Sequence, residues 1–167
     1  MRLTVTPFLA LAIVFGAGST IRAEHAKITL EVEAAEVKET AHVDQTPPAW
    51  GKNPRPVLKA KAGDPIKIHW VFTNVYPNKT LKDVVVHFYV VKVKAVGRKE
   101  SPDLSGDPVC ESAFEMDFKP GAKAGQRSTL KIDEPGVYLV RIESRQTDSD
   151  HEHFSAVDLV IEGKGGK

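Results

Sequence analysis

The sequence predicts an all-β fold, an antiparallel β-sandwich of about seven to eight strands. Three observations predict it. Apolar residues recur with period two along most of the chain and nowhere sustain a helical stripe. The turn signals "KAGD", "VYPNK", "KPGAKAG" and "DEPG" punctuate those segments at the spacing of short linked strands. Cys110 is the only cysteine, so no intramolecular disulfide can form and the interior must hold together by burial.

Each element follows from its alternation. "KITLEVEA" sets Ile28, Leu30 and Val32 against Thr29, Glu31 and Glu33. "VLKAK" is a short strand, and "DPIKIHWVFTN" puts Ile66, Ile68, Trp70 and Phe72 opposite Lys67, His69 and Thr73. "DVVVHFYVVKV" is apolar on both faces, which predicts a central strand. In "VCESAFEMDF" the Cys110 thiol shares a face with Phe114, Met116 and Phe118, as a buried and unreactive cysteine would. "RSTLKI" presents Leu130 and Ile132, and "GVYLVRIES" alternates Tyr138, Val140 and Ile142 with Val137, Leu139 and Arg141. "FSAVDLVIE" closes the domain, and Asp158 within it leaves open which face is buried.

Residues 1–23 read as an export signal, with Arg2, an apolar run over 7–18 and Ala23 as the cleavage residue. Residues 24–162 then form a single domain, and the glycine-rich 163–167 a flexible tail. A secreted or periplasmic protein is expected, with no stable membrane insertion once the signal is removed. Loss of Arg2 and Arg22 leaves one more acidic than basic residue, without a basic stripe, so nucleic acid is not an expected partner.

The block "AGDPIKIHWVFTN…LKDVVVHFYVV…EPGVYLVRIES…FSAVDLVIE" resembles bacterial exported immunoglobulin-like β-sandwich domains, the class that includes cell-adhesion-related (CARDB) and fibronectin type III folds. The likeness spans residues 57–162. Glu134, Gly136 and Tyr138 look like the corner that opens a late strand of such domains, which implies that the Tyr138 hydroxyl ties back to nearby backbone. Val140 stands where an antibody domain carries a cysteine. The resemblance implies recognition, spacing or adhesion rather than turnover. The partner would be a protein or a cell-envelope component.

Two connections are longer than a sandwich requires, and long ordered loops on a rigid scaffold commonly bind partners. One is 44–56, where Pro47, Pro48, Pro54 and Pro56 frame Trp50 and Arg55; the other is 96–108, with Arg98 and Lys99. Trp50 is also suited to plug an end of the core, and that reading outweighs recognition. In "DSDHEHF", 148–154, His151 and His153 point to one side of a strand, and with Asp150 they would suit Zn(II) or Cu(II). The ligand set is incomplete, so a solvated start of a strand takes precedence over a divalent metal site. No cofactor is otherwise expected. The sequence lacks G-x-S-x-G, H-E-x-x-H and a phosphate-cradling glycine loop, and no catalytic residue is expected.

Overall fold

The computed structural model describes residues 26–35, 37–42, 55–97, 104, 107–146 and 153–163. Their secondary structure is all β. The strands are β1 (Ala26–Ala34), β2 (Val37–His42), β3 (Val57–Lys61), β4 (Pro65–Asn74), β5 (Leu81–Val93), β6 (Cys110–Phe118), β7 (Lys123–Lys131), β8 (Gly136–Gln146) and β9 (His153–Glu162). They form a four-stranded sheet, β2-β1-β4-β7, and a five-stranded sheet, β3-β9-β8-β5-β6. Nine strands exceed the expected number by one, and the addition is β2. It follows β1 through a hairpin at Ala35, whose φ of 54° is left-handed without a glycine or asparagine to announce it. One neighbour pair also departs from the expected antiparallel pattern, since β3 runs parallel to β9.

The sheets close over one core. Alternation in β1 buries Ala26, Ile28, Leu30, Val32 and Ala34, and β4 buries Ile66, Ile68, Trp70 and Phe72. Each large apolar side chain removed from water in this way contributes about 1.5–3 kcal/mol. Trp70 stacks on Phe88 and on Phe114, each with ring centroids 6.2 Å apart, and Phe72 meets Phe118 at 4.4 Å. β5 is internal, between β8 and β6, as its two apolar faces predicted. The Cys110 thiol is partly buried against the core, and that burial raises its pKa, keeping the nucleophilic thiolate scarce.

Polar side chains fix the ends of the sandwich. Fully buried Asn74 donates from Nδ2 to the carbonyls of Lys79 at 2.8 Å and Phe118 at 2.9 Å, while its Oδ1 accepts the Tyr76 N–H at 2.9 Å. One amide thereby ties the β4–β5 connection to the end of β6. At the opposite corner the Tyr138 hydroxyl donates to the Glu134 carbonyl at 2.9 Å, the backbone tie that the resemblance implied. Gly136 begins β8 with φ 154°, and a Cβ there would lie 2.9 Å from Lys92 Cε.

Candidate binding surfaces

The two sheets have outer faces of different character, and the difference arises from what covers them. On the five-stranded sheet, β5, β8 and β9 bring Tyr89, Val91, Leu139 and Ala156 into a second apolar cluster, joined by Val93, Phe154 and Leu104. Leu104 comes from the 96–108 connection, so that segment touches the sheet at this point. Gly97, from the same connection, donates its N–H to Asp158 Oδ2 at 2.8 Å.

Asp158 is fully buried. Its carboxylate faces Arg55, with Nη2 3.1 Å from Oδ1 and Nε 3.3 Å from Oδ2, and the Asp158 N–H donates to the Pro56 carbonyl at 2.9 Å. Arg55, expected as a binding residue, is thus committed to a buried ion pair that pins the end of the proline-rich connection to β9. A buried carboxylate needs such a partner because desolvation without one costs several kcal/mol. Four residues along β8 from Leu139, the ladder partner of Asp158, Glu143 is 7% exposed and gathers four groups. Tyr89 donates its hydroxyl to Oε2 at 3.2 Å, Arg141 Nε lies 2.8 Å from Oε2, His87 Nδ1 is 3.6 Å from Oε1 and Arg145 Nη2 is 3.8 Å from Oε1. Arg55 Nε donates a hydrogen bond to Asp158 Oδ2, whereas Arg141 Nε meets Glu143 through charge attraction with imperfect hydrogen-bond direction. His87 Nε2 also meets Glu111 at 2.8 Å, and the Arg141 guanidinium lies 4.1 Å from the centroid of the Phe154 ring.

Among the described residues, no segment covers the outer face of the four-stranded sheet. β1, β2, β4 and β7 line a shallow cleft of about 360 Å³ with Glu31, Glu33, Lys38, Lys67, His69, Arg127 and Thr129. Alternation places the β1, β4 and β7 residues here, because the opposite faces of these three strands turn to the core. Lys38 Nζ is 2.9 Å from Glu31, Lys67 Nζ is 2.7 Å from Glu33, and His69 Nδ1 is 3.5 Å from Glu31. The hydrogen bond from Lys38 holds the Glu31 carboxyl below its usual range, against an opposing effect of desolvation. Arg127 makes no ion pair among the described residues. The cleft therefore offers donors and acceptors of both signs at a solvent-open surface, with the Arg127 cation still available.

Of the residues singled out by sequence, Trp50, Arg98, Lys99, Asp150 and His151 lie outside the described residues. His153 is 8% exposed at the start of β9, on the face that carries Ser155, whose hydroxyl donates to the Ile28 carbonyl across the sandwich at 3.1 Å. The expectation of a solvated strand start fails at His153, because β9 is an internal strand covered on both faces. Among the described residues, no group of three or more His, Cys, Asp or Glu is placed to hold a metal ion. Sequence reasoning noted the exposed alternation of β1 and β4 but missed the cleft, which requires knowing that β1 and β4 are neighbours and that β7 lies beside them.

No family model and no curated protein matches the chain. Among solved structures, it is similar to a family 123 glycoside hydrolase from Clostridium perfringens, at 11% identity and a TM-score of 0.40, over 65% of this chain and 22% of that one. It is similar also to a β-glucosidase from Listeria innocua, at 11% identity and a TM-score of 0.28, over 78% of this chain and 16% of that one. The chain thus spans about a fifth of the length of the first structure and about a sixth of the second, and likenesses this slight carry no argument about its activity.

Proposed function

We propose that the protein is an exported, non-catalytic, immunoglobulin-like binding module that acts outside the cytoplasm after losing residues 1–23. Its contact surface is the cleft on the four-stranded sheet, and its partner a polar protein or cell-envelope component. One observation carries this reading: Asp158 and Glu143 on the five-stranded face are buried and matched to arginines, whereas the charged groups lining the cleft remain accessible. Mixed charges on a rigid sheet select partners by complementarity rather than by apolar area. The tie from Tyr138 to the Glu134 carbonyl supports the immunoglobulin-like assignment.

The test is capture of partners from an envelope fraction by the mature chain and by its Lys67→Ala/His69→Ala variant. Both side chains are substantially exposed, so the variant should fold as the wild type does. Loss of the captured partner supports the cleft. Equal capture by both chains sinks it.

A further inference from the structure

β6 and β7 are edge strands of different sheets on the same side of the sandwich. A tight turn over 119–122 joins them, so they run antiparallel, one in each layer. Across the interior they lie level at one point, where Ser112 Oγ donates to Gln126 Oε1 at 3.0 Å. Each strand has a ladder partner on one side only among the described residues, β5 for β6 and β4 for β7.

The solvent-facing residues of these two edges have opposite charge. Asp107 precedes β6, which then presents Glu111, Glu115 and Asp117; β7 presents Lys123, Arg127 and Lys131. Asp107, Glu115 and all three β7 cations make no ion pair among the described residues. Among the described residues, the core is incompletely covered along this edge. Phe114, Ala124 and Leu130 are only partly buried, Met116 is 45% exposed, and the buried Trp70 Nε1 and Ser128 Oγ have no hydrogen-bond partner among the described residues.

We infer that the β6/β7 edge pairs with the same edge of a second copy of this chain. A two-fold axis running parallel to the strands, midway between the layers, sets β6 of each copy antiparallel to β7 of the other. Both ladders form at once, each sheet continues into the opposite sheet of the second copy, and the assembly closes as a dimer. Rotation about such an axis keeps every residue at its own level along the strands. The Ser112–Gln126 contact therefore sets the register between copies, to within about a residue given sheet twist. In that register Asp107 faces Lys131, Glu111 faces Arg127 and Glu115 faces Lys123 of the second copy. Carboxylates and cations share a spacing of four residues on the two edges, so all three pairs form together.

Charge also selects this arrangement over its rivals. A two-fold axis perpendicular to the sheets would pair β7 with β7 or β6 with β6, placing like charges directly opposite one another, which is destabilising. Charged edges ordinarily prevent pairing; here they prevent each edge from pairing with itself and favour pairing with the other. Arg127 also borders the cleft, but the cleft test uses Lys67 and His69 on β4, so failure of one proposal leaves the other standing.

The test is sedimentation of the mature chain and of two charge-reversed variants. One carries Lys123→Glu, Arg127→Glu and Lys131→Glu; the other carries Asp107→Lys, Glu111→Lys and Glu115→Lys. The wild type should dimerise reversibly and more weakly at high salt. Each variant alone should be monomeric, and an equimolar mixture should recover the dimer. A wild type monomeric at about 1 mM, a dimer that persists in either variant alone, or a mixture that stays monomeric overturns the inference. Hydrogen exchange on the wild type guards against misfolded variants: the outward amides of β6 and β7 should gain protection as concentration rises, and unchanged protection also overturns it.

Discussion

The outer faces of the two sheets contain similar residue types and use them in opposite ways. On the five-stranded face Asp158 is fully buried and Glu143 nearly so, each matched to arginines and covered by neighbouring segments. On the four-stranded face Glu31 and Glu33 meet Lys38 and Lys67 at comparable distances but in contact with water. Distance alone does not determine what an ion pair does. A covered pair holds the fold because breaking it strands a charge away from solvent, whereas an exposed pair contributes little and stays free to exchange partners.

The largest effect that would sharpen this contrast is Asp158→Ala. It leaves Arg55 without its carboxylate and removes the acceptor for the Gly97 N–H, so urea unfolding should show a loss of about 3–5 kcal/mol. Next, Glu143→Gln keeps the shape but removes the charge shared by His87, Arg141 and Arg145, with an expected loss of about 1–3 kcal/mol. On the open face, Lys67→Ala should change stability by no more than about 1 kcal/mol. A loss there as large as that for Asp158→Ala would erase the distinction between the faces.

A smaller effect concerns acid. The Glu31 carboxyl is held below its ordinary value of 4.5 chiefly by Lys38. A carboxyl whose folded pKa is depressed contributes stability above its unfolded pKa and loses that contribution as pH falls through the folded pKa. The stability difference between wild type and Lys38→Ala should therefore be constant near neutrality and shrink below about pH 4.5. A difference that grew in acid would contradict the pairing. The smallest expected effect is at Cys110, whose raised pKa predicts slower alkylation at neutral pH than a free thiol shows.

Much of the fold was legible because burial imposes alternation. The pattern in β1 and β4 named their core faces residue by residue, and the doubly apolar β5 announced an internal strand. β2 was not legible, since "VKETAH" lacks an apolar face and its hairpin turns on Ala35. β9 was ambiguous for a physical reason. Asp158 looks like a solvent marker until Arg55, 103 residues away in sequence, is found beside it. The cleft was illegible for the same reason as the Arg55 pair. Both depend on which strands become neighbours, and a period-two pattern fixes only the face to which each residue points. For Arg55 this changed the role: a cation in a proline-rich connection reads as available for a partner until its buried carboxylate is located.

The contrast between the faces is tested most directly by carboxyl footprinting of the native mature chain, with carbodiimide-activated coupling of an amine read by mass spectrometry. Glu31 and Glu33 should be modified readily, while Asp158 and Glu143 should remain protected until the protein is unfolded. Modification of Asp158 at the rate seen for Glu33 would show that the five-stranded face is open in solution, contradicting the account.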